Sequence, residues 1–314
     1  MTTPSNTDWQ PTTSVASLKS RALLIQQIRQ YFTEQNVLEV ETPCLSNSTV
    51  TDPYLEAFEI AGKYLQTSPE YAMKRLLAHG SGDIYQISKA FRNEDLGRFH
   101  NPEFTLLEWY RCDFTLADMF SEIEQLLRLT LGISEVETHR YADLFSEHLD
   151  VNVHSASIEE LKVLLDRHCN GLSVSDVDDC LTALFATCIE PNIGQQIPCI
   201  VSHFPSSQAS LARLDPDDPR EALRFEVYYR GTELANGFHE LTDPVEQKQR
   251  FESDNSKRLK NNLPEKPIDQ RFLAALQDGL PDCVGVALGI DRLLMLKLGA
   301  DSISQVMSFD FSNA

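Results

Sequence analysis

The chain has 314 residues, 42% of them hydrophobic and 24% charged, with 47 acidic residues against 27 basic ones and a net charge of −20. That length fits one large domain or two small ones, and the composition is that of an ordinary globular protein. Binding to long nucleic acids rests on Lys and Arg neutralising phosphates, so a balance this acidic argues against it, and no apolar run approaches the length of a membrane span.

The first 16 residues are polar and Pro-containing, with no basic start and apolar stretch, so they read as a loose leader and not a signal peptide. Seven cysteines without a CxxC pair read as free thiols in a reducing cytoplasm. Residues 17–36 predict an amphipathic helix, with Leu23, Leu24, Ile28, Tyr31 and Phe32 on one side, followed by a strand from Val37 to Val40. Ser68, Pro69 and Glu70 open a second helix, with Ser as N-cap, Pro at the first position and an acid in the first turn. Two strands rich in aromatic and aliphatic residues follow, Asp83 to Phe91 and Glu103 to Cys112, then a helix over 115–131.

The character changes from about 134 to 194, which reads as a helical insertion. It holds a capping box at Ser157–Glu160 and a further helix from Asp176 to Ile189. Strands resume at Ile197–Phe204, Leu223–Arg230 and Glu233–His239. Helices at 243–261 and 268–278 and a strand-to-helix unit from Val284 to Leu298 close the chain. Antiparallel strands with interleaved helices predict an α+β fold. Neither a Gly-x-Gly-x-x-Gly fingerprint nor a P-loop occurs, so any nucleotide site is built differently.

Three segments carry the chemistry. In the first, Arg92, Arg98, His100 and Asn101 sit between two strands, a grip suited to polyphosphate, and Phe104 can lie flat on a base. In the second, Glu226, Glu233 and Glu240 recur every seven residues, and a turn at Arg230-Gly231 brings the first two together, as acids that hold Mg²⁺ at a phosphate site are. In the third, an apolar strand ends at Gly289 and a helix begins with Arg292 in its first turn, where Gly admits a flat ligand and Arg stacks or pairs with phosphate. Taken singly, each has a plain reading as a solvated hairpin tip, three surface acids or a Gly-ended strand.

Together, in this order and spacing, they resemble the three signature motifs of class II aminoacyl-tRNA synthetases over nearly the whole chain from about residue 17. The helix and strand ending at Pro43 resemble motif 1, FRNE to EWYR motif 2, and GVALGIDRLLML motif 3. Ser68-Pro69-Glu70, HNPEFT and ELANGFHE resemble the lysyl branch. The segments TPCLSNSTVTD, EPNIG, HFPSSQASLA and ANGFHELTD resemble the synthetase paralogues that modify elongation factor P. The segment before Tyr64 is shorter than in some of those paralogues.

The resemblance implies a class II catalytic domain over 17–314 without an anticodon-binding domain, and a homodimer formed through motif 1. It implies ATP and Mg²⁺, (R)-β-lysine as the activated acid, elongation factor P as acceptor, and neither tRNA nor membrane as a partner. It places Arg92 on the α-phosphate, Glu94 on the adenine amino group, and Phe104 and Arg292 on either side of the base. Asn93, His100, Asn101, Leu234 and Gly289 line the nucleotide site, and Glu226 and Glu233 position Mg²⁺. Glu70 holds the amine near the substrate carboxylate, with Ser68, Pro69 and Asn236 beside it, and Tyr110 and Glu240 hold the distant ammonium. A truncated enzyme charging tRNA with α-lysine, a regulator that has lost the chemistry and a small-molecule amide synthetase are the competing readings.

Overall fold

A computed structural model describes residues 9–93, 96–169, 174 and 176–314. Helix α1 (Val15–Glu34) begins two residues before the predicted start, after the N-cap Ser14, whose hydroxyl accepts from the Ser17 N–H. Its Leu24, Ile28 and Phe32 recur at helical spacing and are fully buried. After β1 (Leu38–Glu39), the strands β2 (Leu45–Ser46), β3 (Glu59–Ile60) and β4 (Lys63–Leu65) form a small antiparallel sheet. Strands this short carry no periodicity, which is why the sequence did not announce them. Helix α2 (Glu70–Ala78) starts one residue later than expected. Pro69 is its N-cap residue, while the Ser68 hydroxyl accepts from the Glu70 N–H at 3.1 Å.

The remaining elements are β5 (Ile84–Phe91), β6 (Glu103–Cys112), α3 (Leu116–Leu131), β7 (Glu137–Arg140), α4 (Tyr141–Leu149), α5 (Ile158–His168), α6 (Val177–Leu184), β8 (Cys199–Pro205), β9 (Glu221–Tyr228), β10 (Glu233–His239), α7 (Pro244–Lys260), α8 (Gln270–Gly279), β11 (Cys283–Gly289) and α9 (Ile290–Leu298). Among the described residues the main sheet has eight strands in the order β1-β5-β6-β11-β10-β9-β8-β7. Only the two edge pairs, β1 with β5 and β7 with β8, are parallel. The fold is therefore α+β around a mainly antiparallel sheet flanked by helices.

Period-two alternation divides this sheet into two faces. Leu107 and Trp109 of β6, Phe225 and Val227 of β9, and Val286 and Leu288 of β11 point one way. There they form one core with α1, α3 and α9. Within it the Phe32 ring stacks on Tyr85 with centroids 4.5 Å apart, and Trp109 donates to Glu122 at 2.9 Å. The opposite face of the central strands carries Phe104, Glu108, Tyr110, Glu226, Gly285 and Gly289. It forms the wall of a cleft.

Helices α4, α5 and α6 bury a separate cluster that includes Tyr141, Phe145, Leu161, Leu184 and Phe185 against β8 and Tyr228. Within this stretch β7 and α4 were not foreseen, since ETHR is too polar and too short to read as a strand. No helix among the described residues is long and apolar enough to cross a membrane.

Phe32 joins α1 to the sheet, so Phe32→Ala is expected to destabilise the fold by about 3–5 kcal/mol in chemical denaturation. A loss below ~1 kcal/mol would show that α1 does not depend on this contact.

Candidate active site

The cleft face is set by backbone geometry. Strands β9 and β10 join through Arg230 and Gly231, both at positive φ (51° and 68°), which is the turn that matches strand twist in a tight hairpin. The register then slips between Glu233 and Ala235. Glu233 lies opposite Tyr228, whereas Ala235 lies opposite Val227. The extra residue, Leu234, is a bulge. Without it, Glu233 would point into the core face; with it, Glu233 shares the cleft face with Glu226.

Glu226 is fixed by Arg224 and Tyr228, which both donate to it, and by Asn236, whose amide donates at 2.8 Å. Glu233 keeps about two-fifths of its side chain in contact with solvent, 40% by surface. Burial, and then the Glu226 carboxylate, push its pKa up to about 7 against the pull of Arg292, Arg92 and Arg224. Glu190, after α6, is likewise raised by burial and by Glu226. Carboxylates gathered on one face are a hard-oxygen donor set. Two protein carboxylates completed by phosphate oxygens and water suit Mg²⁺, so the residues fit that ion.

The hairpin and the third motif meet at the other wall. The Arg92 guanidinium lies 5.1 Å from the Phe104 ring centroid, so it rests on the ring expected to stack on a base. Arg292 donates to the Glu233 carbonyl at 2.7 Å and to the Phe99 carbonyl at 3.3 Å, and meets His100 at 3.0 Å. It thus ties the hairpin tip to β10. The preceding residue, Asp291, is buried and accepts from Arg21 of α1 at 2.5 Å and from the Thr105 N–H at 2.7 Å. This clamp holds Phe104 and Arg292 in fixed relation. Asn101, expected against the nucleotide, uses its amide structurally: it donates to the Glu103 carbonyl at 2.6 Å and accepts from the Phe311 N–H at 2.9 Å. Asn93 is exposed, and its N–H donates to the Glu56 carbonyl at 2.8 Å. Glu94 lies outside the described residues. A Cβ on Gly289 would touch only the Arg292 side chain, at 3.6 Å, which leaves room for a flat ligand at this strand end.

At the far end of the cleft is a buried acidic pocket. Lys74 of α2 is fully buried, with its ammonium 2.6 Å from Glu70 and 2.5 Å from Glu240. A single cation thus joins the two acids that the sequence reading set at opposite ends of a substrate. Beside them Glu108 accepts from Ser68 and from Tyr110, each at 2.8 Å. Burial first and Glu70 second raise Glu108 to about 8. Burial also raises Glu240 to about 8, against the pull of Lys74 and with the repulsion of Glu70 and Glu108. Such a pocket gains by accepting cations. Gly285 forms its floor, since a Cβ there would overlap both the Tyr110 ring and the Glu240 carboxylate. Asn236, between this pocket and Glu226, has a buried Oδ1 with no hydrogen-bond partner among the described residues, an acceptor suited to a ligand ammonium.

Glu108 and Lys74 were missed from sequence. The signals were present: Glu108 is two residues before Tyr110 on one strand, hence on the same face, and Lys74 is one helical turn after Glu70.

Residues 7–312 match the family model described as tRNA synthetases class II (D, K and N). A protein of Vibrio cholerae named elongation factor P–(R)-β-lysine ligase is 51% identical, covering 98% of this chain and 99% of its own. Proteins of the same name from Edwardsiella ictaluri and Klebsiella pneumoniae are 50% and 48% identical, each covering 98% of both chains.

Gly285→Ala is expected to cost about 1–3 kcal/mol of stability by overpacking. It should weaken binding of a lysine-type amine about tenfold in calorimetry, or ~1.4 kcal/mol. Unchanged amine affinity would show that the floor does not position Tyr110 and Glu240.

Proposed function

The chain belongs to the class II (D, K and N) tRNA synthetase family, and on that footing we propose that it activates (R)-β-lysine with ATP and transfers it to the ε-amine of a lysine on elongation factor P. The observation that carries the reading is a cleft with a phosphate-type wall at one end and a buried cation pocket at the other. The names and near-complete coverage of the relatives support the choice of acid and acceptor.

In the first half-reaction the substrate carboxylate attacks the α-phosphorus in line, and pyrophosphate leaves. No protein nucleophile is needed, so positioning and electrostatics supply the rate. Arg92 moves from the Phe104 ring to the α-phosphate, where it offsets the charge that develops there. The base takes its place between Phe104 and Arg292, beside Leu234 and Gly289, while His100 and Asn93 flank the phosphates. Glu226 and Glu233 would hold Mg²⁺, which would supply charge neutralisation on the phosphates. Glu70, Glu108, Tyr110, Asn236 and Glu240 hold the two ammonium groups, and Ser68 and Pro69 shape the entrance.

In the second half-reaction a neutral lysine amine attacks the adenylate carbonyl. The C–N bond forms, AMP departs with the C–O electron pair, and the amine loses a proton. An amide results where a tRNA hydroxyl would yield an ester. We assign the protein to the cytoplasm, where translation factors act, as a homodimer that takes no tRNA; the acidic balance of −20 supports the last point.

ATP–pyrophosphate exchange tests the activation step. It is expected to depend on a lysine isomer, with (R)-β-lysine the most effective, and no exchange with any isomer would overturn the reading. Arg92→Ala should lower exchange by about 10²–10³-fold while circular dichroism stays unchanged. Retained exchange would remove Arg92 from the reaction.

A further inference from the structure

The deep pocket holds more acid than cation. Glu70, Glu108 and Glu240 supply three carboxylates, and Lys74 is the cation paired with them among the described residues. With all groups ionised, two negative charges remain without a protein partner. Burial penalises such charge steeply, so the unliganded pocket must take up protons or a cationic guest. A diamino acid brings two ammonium groups, which is the number that closes the count.

We propose that Lys74 is a specificity-determining residue, whose buried ammonium fixes the pocket's unpaired charge at the value that a substrate with two ammonium groups neutralises and one with a single ammonium does not. This rests on the diamino-acid reading above and goes beyond it by giving the selection a physical origin. The Lys74 ammonium lies 5.7 Å from the Phe272 ring centroid of α8, and that ring stacks on Tyr71 at 4.7 Å, so its position is set by packing. Burial alone would lower the Lys74 pKa, but Glu240 and Glu70 outweigh it, and the group stays protonated. The groups that act on it are Glu70 of α2, Glu108 of β6, Glu240 after β10 and the Cys283 thiol of β11, and Tyr71 of α2 and Tyr110 of β6 lie beside those acids. The two tyrosines and the thiol are raised above their ordinary values, chiefly by burial, which leaves Glu108 and Glu240 as the groups that titrate between pH 6 and 9.

The sign follows from the carboxylates. Glu108 and Glu240, raised to about 8, carry protons at low pH and are ionised above that value. Protons can stand in for a missing ammonium at pH 6 but not at pH 9. Discrimination between substrates with two ammonium groups and those with one should therefore widen as pH rises. Removing the Lys74 charge makes the carboxylates harder to ionise, so the pH at which substrate KM falls should move upward by about one unit.

The test is ATP–pyrophosphate exchange from pH 6 to 9 with (R)-β-lysine, with 6-aminohexanoate and with norleucine. In the unmodified protein the ratio of kcat/KM for the two-ammonium substrate over the others is expected to rise at least about tenfold across that range, the equivalent of one pKa unit. A ratio independent of pH overturns the proposal. In Lys74→Met the KM limb is expected to shift upward while kcat changes less than KM, and in Lys74→Arg it should stay near its original pH. An unmoved limb in folded Lys74→Met overturns the proposal too, since a merely structural role would alter stability and leave the limb in place. If that variant does not fold, the measurement on the unmodified protein decides alone. Absence of exchange with every lysine isomer would instead remove the proposed function, so the two failures are distinct.

Discussion

Buried carboxylates repel one another and resist losing water, and the cleft is organised around that constraint. Glu70 and Glu240 share one ammonium at 2.6 and 2.5 Å, while Glu108 is steadied by neutral hydroxyls from Ser68 and Tyr110. These partners reach the pocket from α2 and the residues before it, from β6 and from the end of β10, so the charge balance also fixes how those elements sit against one another. Removal of one member of such a set leaves an uncompensated charge, which costs more than the intact set contributes. The pocket is thus poor at stabilising the fold and well suited to capturing a cation.

The same constraint acts a second time at the other end of the cleft. Glu226 and Glu233 also face each other, but there the compensating groups are arginines, from Arg224 beneath and from Arg92 and Arg292 above. Arginine cannot shed its proton and matches phosphate geometry, so that end suits a polyphosphate with its metal. A compact internal lysine at one end and ring-stacked and bridging arginines at the other give one sheet face two opposite affinities. A molecule with ammonium groups and a carboxylate can span them, its carboxylate near the phosphates. The bulge at Leu234 is what brings Glu233 onto the face that Glu226 occupies.

Much of this was legible in sequence because the central strands are long and strongly patterned. The hairpin from Ile84 to Cys112 and the strand-to-helix unit ending in α9 lie where alternation and Gly placement indicated. What could not be read was set by contacts distant in sequence. Asn101 bonds the Phe311 backbone, 210 residues away, a use that no local pattern reveals. The place of Lys74 in the pocket depends likewise on Glu240, 166 residues further along the chain. The register slip at Leu234 left no mark either, since odd spacing between Glu226 and Glu233 fits several turn geometries. The strands β2 to β4 are held by pairing with one another and not by propensity.

Activation accounts for both ends of the cleft, and the acceptor is the remaining step. Incubating the protein with ATP and labelled (R)-β-lysine, beside either purified elongation factor P or bulk tRNA, addresses it directly. The account predicts that the intact mass of elongation factor P rises by one β-lysyl residue, through an amide that resists mild alkali, and that tRNA gains no label. Alkali-labile label on tRNA with elongation factor P unmodified would contradict it.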